Sequence, residues 1–480
     1  MIIVTVTNNK GKLSGKIPQS LLEKISEYCS FKIKGAEHSP LYKRHQWDGY
    51  KRLFNRQTKS FPIGLYSRVI GILDNSGLQY SVRDERVSPS LSTHDVAISG
   101  LLTRPYQEEA KKRALEAHRG IIQVATGGGK TIIASMIMAE LKCQTLFMVH
   151  TKDLLYQAKN SFEEVLGIEI GQIGDGVVDI KPITVATMQT ISKALGKKYK
   201  DTDEDVSRET DTKLDNNRTE QILKCIKDCQ LVIWDEVHRI ACDMAMGVSE
   251  AITNAYYRIG LSASPWRDDG ADLMIEASIG HVIYKVSASD LIDQGYLVPP
   301  IIKMEKIKPV QLYGTYDQLY KANIVENEAR NNRIVEHVEY LMEQNIPTLI
   351  LVKHIKHGEI LKRLIREKFG PVEFLSGRDY TEKRNQTIEE MRIGQRHLLI
   401  ASTIADEGLD IKRLGAVILA GSGKSSTRAL QRVGRAIRPF EGKDHAIIID
   451  FIDECQYLRE HAQKRKEIYK QEEKFIILEL

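Results

Sequence analysis

The sequence predicts an α/β fold: two tandem doubly wound parallel-sheet domains with a small N-terminal α+β domain. Three observations carry that expectation. The 480 residues are enough for about three domains at roughly 150 residues each. From Leu101 onward, short apolar runs alternate with helical stretches, as in parallel sheets covered on both faces. These runs form two series, punctuated near residues 285–300 by Gly295, Pro299 and Pro300. The expected domains are 1–97, 98–288 and 289–480.

In the N-terminal domain, Met1–Thr7 is a β-rich apolar run. Leu21–Cys29 has helical spacing with Ser20 as its N-cap. Val69–Leu73 and Gln79–Val82 read as strands around the turn signal Asp74-Asn75-Ser76-Gly77. Ser88–His94 is polar and reads as a linker. The first strand series is Ile121–Val124, Thr145–Val149, Ile183–Ala186, Leu231–Trp234 and Ile259–Leu261. The second is Thr348–Val352, Leu398–Ala401, Ala416–Ala420 and Ala446–Phe451. Residues 201–220 hold eight acidic and three basic residues and read as a mobile solvated insertion. Asp453–Lys474 reads as a charged helix, and the apolar end Phe475–Leu480 is expected to dock back onto a domain.

Composition narrows the function classes. The chain is 42% hydrophobic and 28% charged, as in soluble globular proteins. It has no apolar run long enough to span a membrane, and no secretory leader pattern at its start. Six cysteines are too few for a disulfide framework, so a reducing, cytoplasmic compartment is expected. Cys225 and Cys229 lack a second ligand pair nearby and read as two thiols on one helix face.

Charge is unevenly placed. The whole chain has 69 Lys and Arg against 64 Asp and Glu, yet residues 31–68 alone hold nine cations and two carboxylates. That window accounts for the entire positive excess, which points to a polyanion. It also interleaves seven aromatics, most of them expected in the core. Lys43, Arg44, Trp47, Lys51 and Arg52 are its candidate nucleic-acid contacts. Deleting residues 1–97 is expected to weaken branched-DNA binding and spare basal ATPase.

The strongest motif is Val124-Ala125-Thr126-Gly127-Gly128-Gly129-Lys130-Thr131, placed between a strand and the helix Thr131–Leu141. The glycines let backbone N–H groups cradle phosphate oxygens, and the helix N-terminus adds positive potential. Lys130 is expected on the β- and γ-phosphates, and Thr131 on Mg²⁺. The strict pattern has a glycine where this chain has Val124. A glycine-rich turn with an incidental lysine is the plain alternative, and the strand–loop–helix setting weighs against it. The partner motif is Leu231–His238. Its four apolar residues form a buried strand, and Asp235 and Glu236 sit at the carboxyl end where ligands of parallel sheets bind. Asp235 is expected to hold Mg²⁺, Glu236 to activate water, and His238 to sense the γ-phosphate.

With these and further motifs in order, residues 100–452 resemble the superfamily-two helicases and translocases, which implies two RecA-like lobes. Arg104-Pro105-Tyr106-Gln107 is similar to the family's adenine-reading element. Val149-His150-Thr151-Lys152 and Val185-Ala186-Thr187-Met188-Gln189 resemble its strand-contacting motifs. The resemblance places Thr151, Lys152, Thr187, Gln189 and Thr403 on nucleic acid. Gly260–Pro265 resembles motif III, Ser402–Asp410 motif V, and Gln431–Arg438 motif VI. Thr126, Gly127, Gly128, Gly129, Gly408 and Asp410 are implied at the nucleotide. Gln431, Arg435 and Arg438 are implied in catalysis. Three residues apart on a helix, Arg435 and Arg438 are expected to face one way and to reach a nucleotide held between the lobes.

Within the superfamily the chain looks most like phage recombination helicases of the UvsW kind, and more distantly like the RecG, XPB and type III restriction-subunit groups. That implies an ATP- and Mg²⁺-dependent DNA motor that unwinds or branch-migrates Holliday junctions, forks, D-loops and R-loops in phage recombination and replication. Expected partners are branched, duplex and single-stranded DNA, RNA–DNA hybrids and phage recombination proteins. The chain itself is expected to be monomeric or weakly associating, in the host cytoplasm. An RNA helicase, or a motor subunit of a restriction or remodelling complex, is the alternative.

Overall fold

The computed structural model describes the chain apart from residues 90–95, 99–101, 197–213, 241–242, 266–270, 378, 403–410 and 424–425. The linker, most of the acidic insertion and the motif V residues Thr403, Gly408 and Asp410 therefore lie outside the described residues. Contacts divide the chain into two compact units: Met1–Val124 with Gly129–Lys285, and Ala125–Gly128 with Val286–Leu480.

The first unit is built on an eight-stranded sheet. Its spatial order is Val177–Asp179, Gly171–Gly174, Ile183–Thr187, Thr145–Val149, Leu231–Asp235, Tyr257–Ser262, Arg119–Val124, Val282–Val286. From Gly171–Gly174 to Arg119–Val124 every neighbouring pair is parallel. The strands are buried on both faces, which is why they read as unbroken apolar runs. Three adjacent strands, Leu231–Asp235, Tyr257–Ser262 and Arg119–Val124, run the same way, so the segments after them leave from one edge.

The second unit carries a seven-stranded sheet in the order Glu373–Leu375, Leu398–Ser402, Thr348–Val352, Ala416–Ile418, Ala446–Asp453, Pro300–Ile307, Ile476–Glu479. All its recorded pairings are parallel. The chain's apolar end does dock, as an edge strand beside Pro300–Ile307. The charged helix before it is shorter than expected, Leu458–Tyr469, because Asp453 still belongs to a strand. Pro300–Ile307 is hard to read from sequence because lysines at 303 and 306 interrupt its apolar pattern.

The N-terminal domain pairs Ile2–Val6 with Lys10–Gly15 antiparallel and with Tyr80–Asp84 parallel. Two helices, Gln19–Tyr28 and Tyr66–Asp74, supply apolar residues to its core. Two expectations fail here. Val69–Leu73 is helix, not strand: Val69, Ile72 and Leu73 are buried at i, i+3, i+4 spacing, and that period outweighs their β-branched composition. Ser20 lies inside the first helix's opening turn, with Pro18 at the N-cap. Similarly, Asn216–Asp228 is a helix capped by Asp215, so the stretch from 216 to 220 is the largely exposed start of a regular element.

This domain is not a detachable module. Its core cluster (Ile2, Val4, Leu22, Ile25, Phe61, Leu65, Val69) also contains Leu273 and Ala277 of the helix Asp272–Ser278. A Cβ on Gly64 would fall 2.0 Å from the carbonyl oxygen of Glu276, so only glycine permits that approach. The Asn8 carbonyl accepts from Arg119 Nη2 at 3.0 Å and from Arg258 Nε at 3.2 Å. Arg258 is buried, and burial pushes its guanidinium down to about 10. Removing residues 1–97 would strip a shared core and take away a carbonyl on which two guanidinium groups depend. The expectation that such a deletion spares ATPase is therefore withdrawn.

Candidate nucleotide and nucleic-acid site

The glycine-rich loop leaves the strand Arg119–Val124 and enters the helix Lys130–Leu141. Gly127 and Gly129 hold φ of +86° and +78°, the left-handed region that glycine enters at no steric cost. Gln107 packs against this loop: a Cβ on Gly129 would lie 2.6 Å from its Nε2. The Gln107 Oε1 accepts from the backbone N–H of Arg104 at 2.9 Å, in a capping box that opens the helix Pro105–Ala117. The Gln107 side chain is thus buried and engaged with its own helix start rather than displayed to solvent.

Asp235 ends its strand and Glu236 follows with φ +50°, a strained conformation for a side-chain-bearing residue. Lys130 Nζ pairs with Glu236 Oε1, and these side chains are 17% and 16% exposed. Glu236 Oε2 lies 3.4 Å from His238 Nδ1 and accepts from Ser262 Oγ at 3.3 Å. Ser262, in the motif III stretch, closes the strand Tyr257–Ser262 beside them. Burial pushes the Glu236 carboxyl up, but the Lys130 charge and the His238 contact outweigh it and hold the group well below the usual carboxylate range. Asp235 shifts the other way: burial raises it, and the Lys130 charge, itself partly offset by the neighbouring Glu236, does not reverse that. Among the described residues no group of three or more His, Cys, Asp or Glu side chains forms a metal cage. The oxygen-bearing side chains of Thr131 and Asp235 would suit Mg²⁺, which takes one or two protein ligands and completes its shell with phosphates and water.

In the second unit, the helix Ser426–Ala436 carries Arg435, but Arg438 lies two residues beyond its end. Pro439 explains the break, since the residue before a proline is disfavoured in helical conformation. The two arginines are therefore not on one helix face. Burial is the main cause of the lowered Arg438 guanidinium. The Gln431 side chain lies outside the described residues.

The expected strand contacts divide. Thr151 caps the helix Lys152–Leu166 by accepting from Leu154 N, and Lys152 pairs with Asp175 at 3.1 Å. Thr187 is fully buried and donates to Thr190 Oγ1, while Gln189 Nε2 donates to the His150 carbonyl at 2.9 Å. Thr187 and Gln189 shape loops and do not present their polar groups at the surface. In the N-terminal domain, Arg52 pairs with Asp48, whose carboxyl falls to about 2 chiefly through that hydrogen bond. Lys51 pairs with Asp243 of the first unit. Trp47 is half-buried and donates to the Tyr50 carbonyl at 2.9 Å. Lys43 and Arg44 are exposed, with no ion pair among the described residues, and Lys32 lies 5.9 Å from the Tyr42 ring centroid. Among the described residues, the exposed cations of this window that form no ion pair are Lys32, Lys34, Lys43 and Arg44, whereas Arg52, Arg56 and Arg68 are exposed but paired.

A phosphate loop with its acidic strand end, together with a second parallel-sheet lobe bearing an arginine helix, defines a nucleoside-triphosphate-driven motor. Three family models match the chain: type III restriction enzyme, res subunit, over 101–267; helicase conserved C-terminal domain over 330–439; and DNA helicase UvsW, N-terminal, over 13–83. The chain belongs to the superfamily-two helicases and is an ATP-dependent DNA helicase.

Among its relatives, the ATP-dependent DNA helicase uvsW of Enterobacteria phage T4 is 24% identical, covering 93% of this chain and 90% of that protein. The DNA 3'-5' translocase XPB2 of Sulfurisphaera tokodaii is 25% identical, covering 73% and 81%. A fragment of a putative HsdR subunit of a type I restriction enzyme from Vibrio vulnificus shares the fold at TM-score 0.57 and 19% identity, covering 90% and 76%.

Proposed function

We propose that this helicase remodels branched DNA, moving junctions and unwinding D-loops and R-loops during phage recombination and replication in the host cytoplasm. The observation that carries this reading is the set of exposed cations, Lys32, Lys34, Lys43 and Arg44, on an N-terminal domain that shares its core with the first unit. A motor that only tracks one strand needs no such second anion-binding surface, whereas a junction offers several duplex arms to hold. The T4 relative, similar along nearly its whole length, supports the same reading.

In this proposal the working domains are 1–97, 98–288 and 289–480. Lys130 and the loop Thr126–Gly129 hold the phosphates, and Thr131 and Asp235 hold Mg²⁺, which would polarise the γ-phosphate. Glu236 takes the proton from the attacking water and His238 reports the γ-phosphate. Gln431, Arg435 and Arg438 offset charge on the transferring phosphoryl. Arg104 and Gln107 serve the base end, and Thr151, Lys152 and Thr403 the strand. The test compares ATPase and unwinding on matched single-stranded, forked, four-way and R-loop substrates. Preference for forked or four-way DNA supports the proposal; stimulation by single-stranded RNA alone overturns it.

A further inference from the structure

Beneath the start of the arginine helix lies a fully buried ionic frame. Residues 420–423 come after the strand Ala416–Ile418 and lead towards the helix Ser426–Ala436. Side chains from three other segments hold this stretch, one residue after another. Arg330, on the helix Glu328–Glu343, donates from Nη1 to the Ala420 carbonyl at 2.7 Å and from Nη2 to Ser422 Oγ at 3.1 Å. The Tyr320 hydroxyl donates to the Gly421 carbonyl at 2.5 Å. Arg465, on the helix Leu458–Tyr469, donates from Nη1 to the Gly423 carbonyl at 2.8 Å.

Each arginine is itself locked. Arg330 Nε donates to Asp453 Oδ1 at 2.9 Å, and its guanidinium lies 4.4 Å from the centroid of the Phe451 ring. Arg465 makes a two-pronged pair with Asp450, at 2.9 and 2.8 Å, and Tyr469 donates to the same carboxylate at 3.0 Å. Ser422 Oγ closes the circuit by donating to Asp453 Oδ2 at 3.1 Å.

The loop held in this way is not a relaxed one. Ser422 sits at φ +47°, in the left-handed region where a side chain is strained. A Cβ on Gly421 would fall 2.5 Å from the backbone nitrogen of Lys353, so the loop is pressed backbone to backbone against the end of the strand Thr348–Val352. Strained backbone persists only where its surroundings over-determine it, and here they do. A stretch that merely connected a strand to a helix would not need four buried donors. Such over-determination makes sense where a rigid exit must aim the next element of the chain, and that element is the helix bearing Arg435.

We propose that Arg330 and Arg465, with Tyr320, are positioning residues for ATP hydrolysis. They fix residues 420–423 and so set the approach of Arg435 and Arg438. This rests on the reading of those two arginines as the groups that offset phosphoryl charge. The planar fork of Arg330 reaches a carboxylate, a carbonyl and a hydroxyl together; a lysine keeps the charge but cannot span them.

The test uses the full chain with saturating single-stranded DNA. It measures kcat and KM for ATP, equilibrium binding of a fluorescent ATP analogue, and thermal melting. Arg330→Lys is expected to lower kcat at least about tenfold while nucleotide affinity changes less than about twofold. Tyr320→Phe, which deletes one hydroxyl and keeps the ring, is expected to lower kcat about two- to fivefold with little change in melting. Arg435→Ala and Arg438→Ala are measured alongside. If these two lose hydrolysis while Tyr320→Phe and a folded Arg330→Lys keep full kcat, the positioning role is wrong and the arginine reading stands. Should Arg435→Ala and Arg438→Ala both keep kcat, the arginine reading itself fails and takes the positioning role with it.

Discussion

The two units use the same charge chemistry in opposite ways. In the first, Lys130 and Glu236 form a pair at the sheet edge, with about a sixth of each side chain still open to solvent. In the second, Arg330–Asp453 and Arg465–Asp450 are exposed by no more than 3% on either side. In the proposed mechanism the edge pair joins two groups that must part, since phosphate takes Lys130 and water takes Glu236. The interior pairs satisfy carbonyls, a hydroxyl and each other, and nothing in the reaction needs them to part. Burial decides which kind of pair each is. The edge pair keeps a path to solvent and to ligand, whereas a dry, fully bonded pair is costly to break.

That contrast can be broken or sharpened by experiment. The largest effect is expected from Arg438→Ala, which should keep ATP binding and lower hydrolysis by about 10³–10⁵, as removal of a charge-offsetting arginine does in related NTPases. Normal single-turnover hydrolysis in that variant would remove the second unit from the chemistry. Next, Glu236→Gln should lower kcat by about 10²–10⁴ through loss of the general base. Its melting temperature should fall less than that of Arg330→Met, because the glutamine amide oxygen can still accept from Lys130. Arg330→Met should differ by its cost to folding, with denaturant titration showing a loss of about 3–5 kcal/mol of stability as the buried Asp453 loses its ion-pair partner. Equal stability losses in Glu236→Gln and Arg330→Met would abolish the distinction.

A smaller effect tests the N-terminal docking. Arg68 meets Glu276 through two nitrogens at 2.7–2.8 Å, with 43% of its side chain exposed. Arg68→Ala should therefore cost about 1 kcal/mol or less. The smallest effect concerns Lys443, whose ammonium burial pushes down to about 8 while it donates to the Leu414 and Arg438 carbonyls at 2.7 Å. A lysine depressed in the folded state binds its proton more tightly when unfolded, so its contribution to stability rises as pH climbs from about 8 towards the ordinary lysine value. Melting of the parent should improve relative to Lys443→Gln over that range, and a parallel pH response in both would contradict the assignment.

Much of the fold was legible because its signals are local. Strands buried on both faces must be apolar throughout, so Thr145–Val149 and Thr348–Val352 stand out without any structure. Glycines flanking Lys130 and carboxylates closing an apolar run are likewise readable from spacing. Elsewhere one local signal overruled another: the 3.6-residue period at Val69, Ile72 and Leu73 won over β-branched composition. Pro439 ended the arginine helix before Arg438, a local signal that outweighs the three-residue spacing of the two arginines.

What the sequence determined by itself is the alternation of strand and helix and the placing of reactive groups at strand ends, because both arise from neighbours a few residues apart. The tertiary structure alone decided which charges are spent inside the molecule. Lys51 meets Asp243, Asn8 meets Arg258 and Arg330 meets Asp453 across 192, 250 and 123 residues of chain. Such pairings carry no local periodicity; they exist only because packing brings distant groups together, and at Arg258 and Arg330 it also excludes the water that would otherwise solvate them.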